Sequence, residues 1–75
     1  MDLRDTFATN LRRLRQAKGF SQDALAYDAG ISRSYLSQLE KGVFFVSIKV
    51  IGRLAATLKV EPDEFLKRAK RQSSK

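Results

Sequence analysis

The chain has 75 residues, which is room for one compact unit and not for two domains. Its composition of 43% hydrophobic and 31% charged residues supports a core and does not match that of disordered chains. Fifteen Lys and Arg against eight Asp and Glu leave a net charge of +7, which attracts polyanions, nucleic acid first and an acidic membrane second. The absence of Cys and His excludes disulfides, zinc fingers, thiolate nucleophiles and the usual general base.

The N-terminus and the apolar runs argue against a signal peptide and a membrane span. The segment Met1-Asp2-Leu3-Arg4-Asp5 carries two acids and no apolar region. The longest uninterrupted apolar stretch runs only from Val43 to Val46, whereas about 20 residues are needed to cross a bilayer. We therefore expect a soluble, uncleaved, cytoplasmic protein.

Apolar spacing, serine caps and glycine stops predict five helices. The first carries an apolar stripe that begins at Leu3 and repeats at spacings of four, four and three residues, and the fourth carries a similar stripe that begins at Ile48. Pro62 is suited to the first position of the last helix, and acids follow it near the positive end of the helix dipole. The predicted helices run from Leu3 to Lys18, Ser21 to Ala29, Ser32 to Lys41, Ser47 to Leu58 and Pro62 to Lys70.

Beyond the last predicted helix the chain loses its apolar partners and keeps its basic residues. Such a terminal stretch is expected to fray. We therefore predict a single domain over residues 1–70 and a frayed basic tail over residues 71–75.

The segment between the second and third predicted helices has the most specific spacing in the chain. Two short helices cross steeply only if the first contributes a small contact residue, the turn accepts positive φ, and the second turns long apolar residues inward. Ala26, Gly30, Leu36 and Leu39 meet these needs in order. The arrangement is typical of a DNA-binding helix-turn-helix, whose second helix enters the major groove. The plainer alternative is an ordinary small helical bundle.

Three stretches carry a family resemblance: Leu11 to Arg15, Gly19 to Ala26, and Gly30 to Gly42. They resemble the helix-turn-helix family of Cro and phage-repressor type, also called the XRE type, and the resemblance extends through Ser47 to Phe65. Within the family, Arg33-Ser34-Tyr35-Leu36-Ser37 is similar to the small controller proteins of restriction-modification systems. The resemblance implies an all-α, compact five-helix, lambda-repressor-like DNA-binding domain and a homodimeric transcriptional regulator.

Helix geometry predicts which residues read DNA. If the apolar residues of the third predicted helix face the core, its polar residues form an outward stripe of i, i+4 pairs. The candidates for base readout are Arg33, Ser34, Ser37 and Gln38, and the resemblance places base contacts at the same positions. Tyr35 lies at the edge of this stripe. The resemblance implies that it contacts the DNA backbone or senses groove shape, and the alternative is partial core packing.

A second set of residues is predicted to hold the DNA backbone. Gln22, together with Ser21, lies at a helix start where free amides and a side-chain donor suit a phosphate, although a plain surface glutamine is the alternative. Lys41, Ser47 and Lys49 flank the loop after the third predicted helix and are further phosphate candidates, although such lysines are often only solvated charges.

The resemblance also assigns residues to structure and assembly. It suggests a partly buried ion pair between Arg15 and Glu40 that braces the recognition helix, the alternative being two surface charges that do not meet. It places a dimer face on the last two helices, where residues would share core and interface roles, with Phe44 or Phe45 as an extra contact. The predicted interface residues of those helices are Ile51, Leu54, Leu58, Phe65 and Leu66.

The chain departs from the family pattern after Gly42, where the resemblance would lead us to expect a polar loop. Val43-Phe44-Phe45-Val46 stands there instead. Four adjacent apolar residues cannot all face inward, so we expect some to complete the core and others to meet a second subunit. A chain this small without disulfide or metal also gains from a partner.

The sequence therefore predicts a sequence-specific regulator that acts as a homodimer on a pseudo-palindromic operator, such as a restriction-modification controller or an autoregulator. Double-stranded DNA is the expected partner, with RNA polymerase as a further candidate, and no cofactor or metal is expected. An antitoxin-like or coactivator-like protein-interaction module is the alternative, motivated by the apolar loop, and a basic membrane peptide fits the charge but not the ordered caps. An enzyme is not expected, because the acids lack a paired base, a nucleophile or a phosphate-binding loop.

Overall fold

The computed structural model describes residues 2–68, and these form four α-helices and one short 3₁₀-helix without a strand. The elements are α1 (Leu3–Ala17), α2 (Gln22–Ala29), α3 (Arg33–Glu40), α4 (Ile48–Leu58) and the 3₁₀-helix Pro62–Leu66. The all-helical prediction is confirmed, with four α-helices in place of five. The predicted tail over residues 71–75 lies outside the described residues.

Each α-helix begins at a side chain that accepts a hydrogen bond from its own first turn. Ser21 accepts from the amide of Ala24, and Ser32 and Ser47 accept from the corresponding amides of α3 and α4. Asp2 does the same for α1, a cap that the sequence analysis had not identified. These bonds satisfy amides that have no intrahelical partner, so the capping residues fix where the helices start.

The core is formed by one face of each helix and by Phe65 of the 3₁₀-helix. The ring of Phe65 lies against that of Phe7, with the centroids 5.3 Å apart and the planes at 40°. This separation lies in the range that aromatic pairs favour. Leu3 and Ile48, which begin the two predicted apolar stripes, are 52% and 83% exposed, because they lie at helix ends that extend past the core. The buried apolar residues of the cluster are Phe7, Leu11, Leu14, Leu25, Ala26, Ala29, Leu36, Leu39, Leu54, Ala55, Leu58 and Phe65.

The prediction of a fifth α-helix from Pro62 to Lys70 is wrong, and a buried amide gives the reason. Asn10 of α1 is 3% exposed, and its Nδ2 donates to the carbonyls of Phe65 at 2.9 Å and Lys67 at 2.7 Å. These bonds divert the two carbonyls from an α-helical pattern, and Lys67 is already extended. The chain therefore makes a single 3₁₀ turn, which positions Phe65, and then leaves the core.

Replacing Asn10→Ala is expected to lower the free energy of unfolding by about 1–3 kcal/mol, because the buried carbonyl of Phe65 loses its partner. Urea denaturation followed by circular dichroism measures this. Thr9→Ala, on the exposed side of α1, is the matched control and is expected to change stability little. Equal losses in the two variants would contradict the role given to Asn10.

Candidate nucleic-acid interface

The turn between α2 and α3 seats one helix on the other. Ala26 is 2% exposed, and its carbonyl accepts from the amide of Ile31 at 3.0 Å. Gly30 ends α2 with φ 74°, a left-handed conformation that costs glycine little and other residues more. Leu36 and Leu39 are completely buried on the inner side of α3. The apolar side of α3 is therefore fixed to the core.

The opposite side of α3 carries the residues predicted to read bases. Arg33 and Ser34 are exposed, and Ser37 and Gln38 are half-buried. The four residues are thus accessible from outside, as i, i+4 pairs on one helix surface.

Tyr35 is half-buried at the edge of this surface and packs against the core. Its ring also stacks on that of Phe44, with the centroids 6.2 Å apart and the planes at 30°. The side chain is therefore partly a packing residue, and it links α3 to the loop that follows.

Glu40, at the end of α3, is a buried carboxylate that is 3% exposed. Arg15 of α1 binds it in a bidentate way, with Nε 2.6 Å from Oε2 and Nη2 3.1 Å from Oε1. The remaining nitrogen, Nη1, donates to the carbonyl of Phe20 at 2.9 Å. Such a fork places two parallel charge-assisted hydrogen bonds on one acid, so α1, the following turn and α3 meet at this carboxylate.

Gln22, predicted to clamp a phosphate, is half-buried and already has two side-chain partners. Its Nε2 donates to Oε1 of Glu40 at 3.0 Å, and its Oε1 accepts from Nη2 of Arg33 at 3.4 Å. The buried acid therefore fixes which way the amide points. Sequence spacing gave no sign of this link, because its partners lie on different helices.

The other residues predicted to hold the DNA backbone are of two kinds. Ser21 and Ser47 use their hydroxyls as caps of α2 and α4, whereas Lys41 and Lys49 are exposed. Arg12, on α1, donates to the main-chain carbonyl of Glu40, next to Lys41. The two lysines are therefore exposed cations that follow α3 in the chain, whereas the two serines are the N-caps of α2 and α4.

The apolar loop from Val43 to Val46 divides between core and surface. Val46 is half-buried against the core, while Phe44 and Phe45 are 47% and 72% exposed. The guanidinium of Arg4 lies over the ring of Phe45, with Cζ 4.6 Å from its centroid. Hydrogen bonds from Arg4 also lower the pKa of the Asp2 carboxyl below its ordinary value.

The predicted dimer face requires a correction. Leu54, Leu58 and Phe65 are at most 1% exposed within their own chain, so they have no surface to offer a partner. Ile51 is half-buried and Leu66 is exposed, and both line a shallow apolar groove. The other residues that line this groove are Leu3, Arg4, Phe7, Phe44, Phe45 and Val46.

Residues 2–68 contain no cluster of three or more His, Cys, Asp or Glu placed to hold a metal ion. None of the helices within that range has the length and apolar character needed to cross a membrane.

The geometry defines a small helical domain built around a helix-turn-helix. A family model described as a helix-turn-helix domain matches residues 6–67, and the chain belongs to this family. The resemblance that the sequence indicated is therefore confirmed.

The chain is also similar to two bacterial proteins and to a solved structure. The chain is 32% identical over 66 residues to control protein C.BamHI of Bacillus amyloliquefaciens, covering 87% of this chain and 82% of that protein. It is 42% identical over 55 residues to the HTH-type transcriptional regulator SlrR of Bacillus subtilis (strain 168), covering 72% of this chain but only 36% of SlrR. The crystal structure of the restriction-modification controller protein C.AhdI from Aeromonas hydrophila superposes with a TM-score of 0.80 at 44% identity, covering 83% of this chain and 94% of that one.

Replacing Arg15→Met is expected to lower the free energy of unfolding by about 3–5 kcal/mol, because it leaves the Glu40 carboxylate buried without its cation. The double variant with Glu40→Met should lose much less, since it removes the stranded charge. Urea denaturation of both variants and of the exposed control Lys18→Met measures the coupling. Additive losses would show that the two side chains do not act as a pair.

Proposed function

We propose that the chain is a sequence-specific, DNA-binding transcriptional regulator of the restriction-modification controller or autoregulator type. The observation that carries this proposal is the two-sided α3, which is fixed to the core by Leu36 and Leu39 and presents polar side chains outward. A helix held in this way is the element that helix-turn-helix proteins place in the major groove. The relatives named as regulators and as a controller support the same class.

The outward side chains suit the edges of bases. The guanidinium of Arg33 can donate to O6 and N7 of guanine, and the amide of Gln38 can pair with N6 and N7 of adenine. Ser34 and Ser37 can donate to or accept from a base edge or a phosphate. These four residues on one helix surface therefore provide contacts that select a particular base and contacts that suit several groups.

Backbone contacts would come from both sides of α3. Lys41 and Lys49 are exposed cations that can neutralise phosphates without reading sequence. The starts of α2 and α4, at Ser21 and Ser47, present first-turn amides that favour anions. In this proposal Gln22 contributes a phosphate contact through the amide hydrogen that Glu40 does not use.

The proposal includes a homodimer formed by the apolar groove and its rim. Among the residues that line this groove, Phe45 is 72% exposed, and Leu3, Phe44 and Leu66 are about half exposed. An apolar surface of this kind on a small domain is typical of an interface. A two-fold dimer would place two copies of α3 about 34 Å apart, one helical turn of DNA, on a pseudo-palindromic operator.

The exposed apolar loop from Val43 to Val46 also favours a second candidate function, a protein-interaction module of the antitoxin or coactivator kind. That candidate predicts a monomer in solution that binds DNA without sequence preference, whereas the regulator predicts a dimer that selects a palindrome. For the regulator, RNA polymerase at the adjoining promoter is a further proposed partner, and no catalytic step is proposed.

Replacing Arg33→Ala is expected to remove about 1–3 kcal/mol of discrimination at one guanine in each half-site. Replacing Lys49→Ala should instead weaken binding to all duplexes about equally and reduce the log–log salt slope by about one. Selection of bound duplexes from a random pool, followed by fluorescence anisotropy at several salt concentrations, measures both effects. Unchanged sequence preference in the Arg33→Ala variant would show that the readout assignment is wrong.

Replacing Phe45→Ala is expected to raise the Kd of the dimer about 10-fold or more, because a buried phenylalanine contributes about 1.5–3 kcal/mol of apolar transfer energy. Sedimentation velocity over a range of protein concentrations measures the shift. Tyr27→Ala is the control, since Tyr27 is another highly exposed aromatic residue, 86% exposed, on α2. If the unaltered chain sediments as a monomer at every concentration, the dimer proposal fails.

A further inference from the structure

Two neighbouring side chains lie close to the guanidinium of Arg33. Its Nε lies 3.4 Å from Oδ1 of Asp23, and its Nη2 lies 3.4 Å from Oε1 of Gln22. Both partners are on α2, whereas Arg33 is the first residue of α3. The arginine is therefore restrained across the turn of the helix-turn-helix unit.

The two contacts involve neighbouring nitrogens of the guanidinium. In this planar group Nε and Nη2 share the side edge, whereas Nη1 and Nη2 share the end edge, and either edge can form a fork with two acceptors. Asp23 lies beside Nε on the side edge, and Gln22 accepts from Nη2, which belongs to both edges. Nη1 and the second hydrogen of Nη2 can still donate to O6 and N7 of a guanine, which accept such a fork.

The orientation of the Gln22 side chain is itself fixed by a hydrogen bond to the interior. Because Nε2 of Gln22 donates to the buried carboxylate of Glu40, the amide cannot turn over without losing that bond, and its oxygen stays toward Arg33. Asp23 supplies the charge, and it lies in the first turn of α2, where the helical backbone fixes the start of its side chain. Asp23 and Arg33 are themselves 78% and 63% exposed, so the arginine stays accessible while it is held.

We propose that Asp23 is a positioning residue for base recognition, which together with Gln22 presents the end edge of Arg33 to a guanine. This inference rests on the proposed function. Restricting the rotamers of a long side chain before binding reduces the entropy lost on binding, so Asp23 increases affinity for the guanine-containing site in particular. A carboxylate that acted only through its charge would instead repel the phosphates of every duplex alike.

The experiment compares discrimination in variants of the full chain. Discrimination is the Kd for a duplex whose Arg33-contacted G·C pair is replaced by A·T, divided by the Kd for the selected duplex, at one salt concentration. Asp23→Asn is expected to lower this ratio about threefold to fivefold, the size of effect that an exposed ion pair produces. It is also expected to tighten binding to an unrelated duplex, because one negative charge is removed.

Three further variants separate positioning from charge. Asp28→Asn removes the same charge from an exposed position of α2 and is expected to leave discrimination unchanged. Asp23→Glu is expected to restore most of the ratio, because the carboxylate is retained. In a chain that already carries Arg33→Ala, Asp23→Asn should produce no further loss, since Asp23 acts through the arginine.

The outcomes distinguish the inference from the proposed function. Equal tightening of both duplexes by Asp23→Asn, or a further loss in the Arg33→Ala chain, would overturn the positioning role. If Arg33→Ala abolishes discrimination while Asp23→Asn preserves it, the regulator stands and this inference alone fails. If the unaltered chain shows no preference among duplexes, both fail.

Discussion

The buried carboxylate of Glu40 is the group on which the rest of the interface depends. A charge at 3% exposure is costly unless it is paired and fully hydrogen-bonded. Arg15 supplies the cation and Gln22 a further donor, so the end of α3 is tied to both α1 and α2. Because the nitrogen of Gln22 is committed to this acid, its oxygen faces Arg33. The orientation of an exposed arginine thus depends on a charge in the interior.

Most of the fold could be predicted from the sequence because its signals are local. A serine cap or a change of apolar period lies within a few residues of the helix end that it marks, and α1 to α4 appear where those signals stand. The final element could not be predicted in this way, because Asn10 decides it from α1. Periodicity also does not show where the core ends. It therefore does not distinguish Leu3 and Ile48, which are exposed, from the buried residues of the same stripes.

The candidate site also has a part that the sequence predicts and a part that it does not. The outward face of α3 follows from helix geometry once Leu36 and Leu39 are placed inside. The contacts of Asp23 and Gln22 with Arg33 join two helices, and the spacing that predicts their steep crossing does not say which polar side chains meet across it. Likewise, the resemblance placed residues that share core and interface roles on the last two predicted helices, but only the packed structure shows that the core takes up Leu54 and Leu58.

The position of the apolar loop gives it a geometric role in the proposed dimer, in addition to any contribution to affinity. The amide of Val43 donates to the carbonyl of Gln38 at 3.1 Å, and Phe44 stacks on Tyr35, so the loop is joined to α3 at two points. A partner that packs on Phe45 would therefore sit at a fixed offset from the polar face of α3. Since half-site spacing must match the helical repeat of DNA, apolar packing at this loop would select the operator spacing while α3 selects its bases.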